Sequence, residues 1–475
     1  MSKNISSIIK SIQNIMRNDK GLNGDAQRIE QLGWMIFLKI FDDKDLELEL
    51  IKDDYISPIP SELQWRNWAT NDEGITGDEL LDFIDNKLFT TLKNLSTSNK
   101  RALLIKEVFE GNNNYMKSGT IIRQVINKIN EVDFNNSEDR HLFGDIYETI
   151  LKELQSAGNS GEFYTPRAIT QFVTQMVNPT LNDIVLDPAC GTGGFLVNAI
   201  EHITNNKELK TPEDRVTLQN NIKGMELKPL PHMLALTNLI LHDIELPNII
   251  YDDALSKELS SISNKDKVNC ILANPPFGGN VTDGMETNFP MNYRTKESAD
   301  LFLILMIEYL KEDGKAGIVL PDGSLTGDGV KQRIREKLLT DCNLHTIVRL
   351  PNSVFQPYAS VATNLLFFTK GKPTSEIWYY EHKLPEGQKS YSKTKPIKIE
   401  EFDTLKSWWN NRVENEQAWK VNIETIKANG YNLDIKNPHK EEDEQNHTST
   451  ELLDMLSNSF LKSNKLLEKL KSELI

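Results

Sequence analysis

The feature that most constrains this chain is a change of rhythm near residue 160, after which short apolar runs alternate with helical stretches. Asp183–Leu186, Ile222–Met225, Ile249–Tyr251, Val268–Ala273, Ala316–Leu320, His345–Leu350 and Asn364–Phe368 read as strands. Leu230–Leu241 and Leu301–Leu310, lying between them, read as helices. Alternation of this kind predicts an α/β fold built on a doubly wound, mostly parallel sheet. In such a sheet ligands bind beyond the carboxyl ends of the strands, so the residues that follow each run matter most.

Before residue 156 the periodicity is helical. Ala26–Leu50 carries apolar residues at helical spacing with Gly33 as the one interruption, and Leu80–Leu95, Lys100–Glu110, Ile121–Val132 and Leu142–Leu154 repeat the pattern. Polar turns at Asn112–Asn114 and Asn135–Ser137 separate them. The aromatics here read as the core of a bundle, and no catalytic constellation is visible. The small, polar stretch Ser156–Gly161 marks a boundary. The expected organisation is a helical N-terminal domain (1–155), an α/β domain (156–400) and a helical C-terminal region (401–475). That last region holds Trp408, Trp409 and Trp419, then the polar stretch Lys436–Thr450, which reads as a solvated linker. Leucines at helical spacing in Glu451–Ile475 predict a terminal helix that docks on a partner or on its own domain.

Charge limits what the chain does alone. Of its 475 residues, 69 are acidic and 54 basic, a formal charge of −15. A protein that grips nucleic acid unaided is usually basic, because phosphate neutralisation supplies most of the affinity. Either nucleic acid is not the substrate, or a local groove and a partner supply the grip. The N-terminal stretch lacks the pattern of a signal peptide, and no apolar run approaches the roughly 20 residues that span a bilayer. Cys190, Cys270 and Cys342 are too scattered for a disulfide framework or a CxxC zinc site. A reducing, cytoplasmic setting and no metal site are expected.

The strongest local signal is Asp187-Pro188-Ala189-Cys190-Gly191-Thr192-Gly193-Gly194-Phe195-Leu196, which follows a predicted strand and opens a helix. Glycines there let the backbone pass close to a ligand, and a helix start offers free N–H groups. Many nucleotide sites use such a turn, so the details must narrow it. No Lys-Ser/Thr pair follows, which excludes a P-loop. Leu196 stands where the dinucleotide fingerprint needs its third glycine, which excludes that too.

The second signal is Asn274-Pro275-Pro276-Phe277, at the end of Val268–Ala273. Two prolines remove two backbone donors and stiffen the turn, leaving carbonyls to accept. An exocyclic amino nitrogen is a poor nucleophile because its lone pair is delocalised into the ring. An Asn oxygen and a proline carbonyl that both accept from the amine return electron density to nitrogen. Phe277 supplies a ring to stack on the base and hold it at attack distance. Alone, such a tetrapeptide is also an ordinary turn. Its place at the end of a later strand, after the Gly-rich turn, favours chemistry.

DPACGTGGFL followed by NPPF resembles the amino-methyltransferases that use S-adenosylmethionine. Gly161-Glu162-Phe163-Tyr164-Thr165-Pro166-Arg167 resembles the cofactor-closing segment of the modification subunits of type I restriction systems, and the resemblance runs from about residue 25 to about residue 435. It implies the S-adenosylmethionine-dependent methyltransferase fold. It places Glu162, Phe163, Tyr164, Thr165, Pro166 and Arg167 at the methionine end of the cofactor, and Asp187, Gly191, Thr192, Gly193 and Gly194 in the cofactor loop. Glu226 matches the residue that binds the ribose hydroxyls, and Asp253 the residue near the cofactor's adenine. Asp252 departs from the family, which more often has glycine there. Leu320-Pro321-Asp322-Gly323 ends a strand as the family's does. Leu350-Pro351-Asn352-Ser353-Val354-Phe355, followed by Thr363–Phe368, resembles the segment that supports the target base from its other side. Phe355 is the candidate there, and Tyr358 the alternative.

The resemblance implies methyl transfer to adenine N6 in DNA by a modification subunit. A specificity subunit would bind the DNA, an ATP-dependent restriction subunit would complete the system, and two methylating subunits would clamp the duplex. A sulfonium methyl arrives activated, so the protein supplies positioning rather than a nucleophile or a metal. The adenine has to rotate out of the duplex. The roughly 100 residues after Phe368 are thin for a target-recognition domain. Three alternatives stay open. A self-sufficient DNA amino-methyltransferase would carry a fused recognition domain. A protein-glutamine or RNA methyltransferase uses the same NPPF chemistry in a shorter chain. A scaffold that has lost catalysis would not be expected to keep NPPF and DPACGTGG intact.

Overall fold

The computed structural model describes residues 2–97, 99–134, 165–356, 361–392 and 394–439, with scattered positions between 453 and 467. They fall into two units, Met1–Ile435 and Lys436–Ile475. The predicted helix Leu142–Leu154 and the boundary Ser156–Gly161 lie outside the described residues.

Helices open the first unit: Ser2–Met16, Asp25–Ile51, Lys100–Gly111 and Gly119–Ile129. The last two start where Asn99 and Ser118 accept hydrogen bonds from the backbone N–H groups of Arg101 and Ile121, donors a helix start leaves unpaired. The segment read as one helix over Leu80–Leu95 is three abutting pieces, Gly77–Asp82, a π-helical turn Phe83–Leu88, and Phe89–Lys93. Apolar spacing does not reveal such a local change of winding. The aromatics form core, with Trp34 edge-on to Phe89 at 5.1 Å and 6.2 Å from Phe109. Gly33 has a structural reason: a Cβ there would stand 2.4 Å from Met233 Cε. Its absence lets Asp25–Ile51 lie close against the helix Pro229–Leu241. The buried Arg101–Asp45 pair, at 2.5 Å, adds a second tie, because Arg101 also donates to the Glu245 carbonyl at 3.2 Å.

Then come β1 (Val185–Asp187), β2 (Ile222–Glu226), β3 (Asn248–Tyr251), β4 (Val268–Ala273), β5 (Leu310–Pro321), β6 (Cys342–Arg349), β7 (Thr363–Lys370), β8 (Glu376–Glu381) and β9 (Ala418–Asn422). Among the described residues they form one sheet in the order β3-β2-β1-β4-β5-β7-β6-β8-β9. The run β3-β2-β1-β4-β5 is parallel throughout, while β7 is antiparallel to both β5 and β6. Helices between the strands complete the expected doubly wound architecture, behind a helical N-terminal region. One of them, Pro212–Asn221, starts with a proline and a reciprocal capping box between Thr211 and Asp214.

The sheet extends further than the sequence suggests. β8 pairs with β6 and β9 with β8, so part of the stretch after residue 400, read as helical, is a strand. The helices Asp403–Trp409 and Ile423–Ala428 flank it and dominate the local periodicity. Cross-strand pairing decides β9: Trp419 lies opposite Tyr379 and their rings stack at 5.3 Å. In the second unit the described positions between 453 and 467 are helical. No helix among the described residues is long and apolar enough to cross a membrane. Cys190, Cys270 and Cys342 are buried and unpaired.

Candidate active site

From β1 the chain winds outward through β2 and β3, then returns to β4 on the other side. At this reversal a crevice of about 350 Å³ opens beyond the carboxyl ends of the strands. The turn after β1, the end of β2, Asp252–Leu255 after β3 and Asn274–Pro276 after β4 all line it.

Asp187 forms the floor. It is 1% exposed, and its carboxyl accepts from the Ala189 N–H at 3.0 Å. Burial pushes its pKa up to about 8, against the pull of that N–H and with a push from the nearby Glu226 charge. The Cys190 N–H donates to the Met225 carbonyl at 2.9 Å and ties the turn to β2. Gly191 and Gly193 take φ of 55° and 81°, the left-handed region that favours glycine. Gly191, Thr192 and Gly194 line the crevice, whereas Gly193 faces Leu239 behind it.

Glu226 stands at the end of β2. Its Oε2 accepts from the Gly191 N–H at 2.9 Å and its Oε1 from the Lys228 N–H at 2.8 Å. After β3, Asp253 accepts from the Leu255 N–H at 2.9 Å and donates its own N–H to Asp252 Oδ1 at 2.8 Å. Both aspartates reach the crevice, including Asp252, where the family pattern has glycine.

The opposite wall carries Asn274. Its Nδ2 donates to Thr165 Oγ1 at 2.8 Å, while its Oδ1 is buried without a hydrogen-bond partner among the described residues. The Pro276 carbonyl accepts from the Ser298 hydroxyl at 2.8 Å, and the Gly279 carbonyl lies 3.1 Å from that hydroxyl. Pro275, next to Asn274 in the chain, also lines the crevice. Phe277 is buried, its ring edge-on to Phe355 at 6.3 Å, and Phe355 is buried with it. The two aromatics singled out in sequence thus meet each other beside the Asn-Pro-Pro turn. Tyr358 lies outside the described residues.

The segment 162–167 divides. Glu162, Phe163 and Tyr164 lie outside the described residues. Thr165 lines the crevice and Pro166 precedes the helix Arg167–Val177. Arg167 pairs with Glu201 at 2.9 Å on the helix Gly194–Asn205, bracing helix against helix. Sequence reasoning missed Ser298, which opens the helix Ser298–Tyr309 and also lines the crevice. No local pattern marks it. Taken together, the crevice sets the Glu226 and Asp253 carboxylates on one wall and, on the other, the Asn274 oxygen, unpartnered among the described residues.

Comparison with known proteins agrees with this chemistry. Residues 138–447 match the family model described as N-6 DNA Methylase, and residues 5–129 match the HsdM N-terminal domain. The methylase subunit of the type I restriction enzyme EcoEI from Escherichia coli is 56% identical over 449 residues, 92% of this chain and 91% of its own. A crystal structure from Vibrio vulnificus YJ016, described as a type I modification subunit, shares 44% identity. It superposes with a TM-score of 0.84 over 93% of this chain and 98% of its own. A chain from a structure of type I restriction–modification assembly and conformational transition is 33% identical. Its TM-score is 0.83 over 99% of this chain and 98% of its own.

Proposed function

The chain belongs to the modification subunits of type I restriction–modification systems and is an adenine-specific N6 DNA methyltransferase, and on that premise we propose that its crevice holds S-adenosylmethionine against the turn after β1 and the target adenine against Asn274. S-adenosylmethionine, when bound, supplies a methyl group already activated on a sulfonium centre. The residues of this chain bind and orient. Asp187, Gly191, Thr192 and Gly194 shape the cofactor turn, with Gly193 holding its backbone. Glu226, held at the end of β2 by the Gly191 and Lys228 N–H groups, accepts the ribose hydroxyls. Asp253 stands by the cofactor's adenine, and the segment assigned to the methionine end reaches the crevice at Thr165.

The observation that carries the reading is Asn274 Oδ1. A buried polar atom without a partner costs about 1–3 kcal/mol, and an amine hydrogen would satisfy it. The second hydrogen of the same amine meets the Pro275 carbonyl. An amine nitrogen that gained the methyl group, as the C–S bond broke to leave a neutral thioether, would carry positive charge until its proton passed to solvent, and two oxygens fixed in place would stabilise that charge. The cationic nitrogen then loses its proton readily, so no strong base is required. Phe277 and Phe355, buried against each other, back the wall beside which the extruded base would lie.

A separate specificity subunit grips the DNA in this reading, because a charge of −15 opposes phosphate. Two copies of the chain then act in one cytoplasmic complex, which an ATP-dependent restriction subunit completes. Titration calorimetry and nucleoside mass spectrometry test the division of the site. Glu226→Ala is expected to weaken S-adenosylmethionine about 10-fold or more. Asn274→Ala is expected to bind it normally while the complex loses about 100-fold or more in N6-methyladenine formation. Loss of cofactor binding in Asn274→Ala, or normal binding in Glu226→Ala, would overturn the assignment.

A further inference from the structure

We propose that Thr165 is a positioning residue that holds the Asn274 amide with its oxygen left for the target amine. The proposal rests on the reading of Asn274 as the acceptor for that amine. It adds how the acceptor is held.

A carboxamide carries an acceptor on one side and two donors on the other, and half a turn about its last torsion exchanges them. With its oxygen inward, Asn274 withdraws hydrogen from the amine and enriches the nitrogen. With its NH2 inward, donors meet donors and the attack is opposed. The neighbouring prolines cannot choose between these states, since neither has a backbone N–H to hold the oxygen outward or inward.

Thr165 does choose. Its Oγ1 accepts from Asn274 Nδ2 at 2.8 Å, across 109 residues of chain, and leaves Oδ1 buried and without a partner among the described residues. The post itself is fixed independently of the Asn-Pro-Pro turn. Thr165 stands two residues before the helix Arg167–Val177, whose Val173 and Val177 press on β5 where Gly317 has no side chain. A Cβ at Gly317 would lie 2.6 Å from one valine and 2.7 Å from the other. The Phe172 ring, on the same helix, stacks on Phe402 at 4.3 Å. Asn198 donates to the Thr170 hydroxyl at 2.8 Å, joining this helix to the one that follows the Gly-rich turn. A hydroxyl mounted on an element held at three points presents a preorganised acceptor. Thr165 thereby links this helix, through one hydrogen bond, to the group that meets the amine.

Single-turnover methylation tests this, using the chain assembled with its specificity subunit on duplex DNA that carries the recognition site. Calorimetry with S-adenosylmethionine is run on the same preparations. Thr165→Val keeps the branched shape and removes the hydroxyl, whereas Thr165→Ser keeps the hydroxyl. Thr165→Val is expected to slow methyl transfer about 10-fold, with cofactor affinity within about twofold of the original, and Thr165→Ser to restore most of the rate. In an Asn274→Ala background the Thr165→Val change is expected to cost nothing further, because no amide remains to be oriented. Two results overturn the proposal: a loss confined to cofactor affinity, or the same slowing in both backgrounds. An unimpaired Thr165→Val beside an impaired Asn274→Ala would dismiss Thr165 and leave the role of Asn274 standing. A fully active Asn274→Ala would remove both.

Discussion

The Cβ that Gly193 lacks would lie 3.1 Å from Leu239 Cδ1 and 3.5 Å from Ala235 Cβ, on the helix Pro229–Leu241 behind the crevice. Gly193 therefore reaches a ligand only through the shape of the turn and the seating of that helix. Gly191 differs: it lines the crevice, and a Cβ there would meet open space. Gly193→Ala is expected to lower stability by about 1–3 kcal/mol, from strain at positive φ plus crowding against Leu239. Gly191→Ala, with strain alone, is expected to cost about 1 kcal/mol and to weaken cofactor binding directly. Denaturant unfolding run beside calorimetry compares them, and equal stability losses would contradict the different surroundings.

Ser298 holds the Asn-Pro-Pro turn from the far side, through the carbonyls of Pro276 and Gly279. Removing the hydroxyl leaves the Pro276 carbonyl short of a donor, while Gly279 keeps the Ser298 backbone N–H at 3.1 Å; the loss of about 1–2 kcal/mol corresponds to roughly 5- to 30-fold in rate if it falls on the transition state. Ser298→Ala should therefore slow single-turnover methylation by that factor with cofactor affinity unchanged. A change in cofactor affinity with an unaltered rate would show that the hydroxyl serves the other wall.

Burial of Asp187 makes stability depend on pH. Its carboxyl titrates near 3.8 when unfolded and near 8 in the folded chain. Between those values the folded chain holds a proton that the unfolded chain has lost, so stability falls as pH rises across the window. The slope approaches about 1.4 kcal/mol per pH unit for this one group. Below the window both states are protonated and the dependence vanishes; above it both are ionised and the cost is constant. Asp187→Asn keeps the acceptor for the Ala189 N–H and cannot ionise, so it should flatten this part of the slope. Urea unfolding of both chains between about pH 5 and pH 7.5 measures it, and parallel slopes would show that Asp187 is not the titrating group.

Partnership is the remaining prediction. Alone, the chain is expected to bind duplex DNA weakly, without sequence preference, and to methylate almost nothing, since its charge of −15 opposes phosphate. A specificity subunit should restore site-specific adenine methylation by supplying base contacts and register. In the second unit Leu453, Leu456, Phe460, Leu461, Leu466 and Leu467 are each more than half exposed. Removing residues 451–475 should weaken assembly in sedimentation experiments and leave cofactor binding intact. Efficient, site-specific methylation by the purified chain alone would favour a self-sufficient enzyme instead.

The parts of this protein legible in its sequence are those whose geometry is set within a few residues. Apolar runs and the polar residues bounding them located β1 to β7, although β5 begins at Leu310, earlier than its apolar stretch. The turn from Asp187 to Gly194 and the tetrapeptide Asn274–Phe277 were recognisable because strand, turn and side-chain chemistry lie side by side in the chain. Periodicity failed at β9, where pairing of Trp419 with Tyr379 outweighs the helical pattern on either side. The direction of a side chain was equally hidden. Gly193 turns its back on the crevice, Arg167 pairs with Glu201, and Phe355 meets Phe277. The bond between Thr165 and Asn274 joins segments that only the folded sheet brings together. Local propensity and turn chemistry act over one or two turns of chain, whereas these contacts depend on how distant segments pack, so only the tertiary structure could decide them.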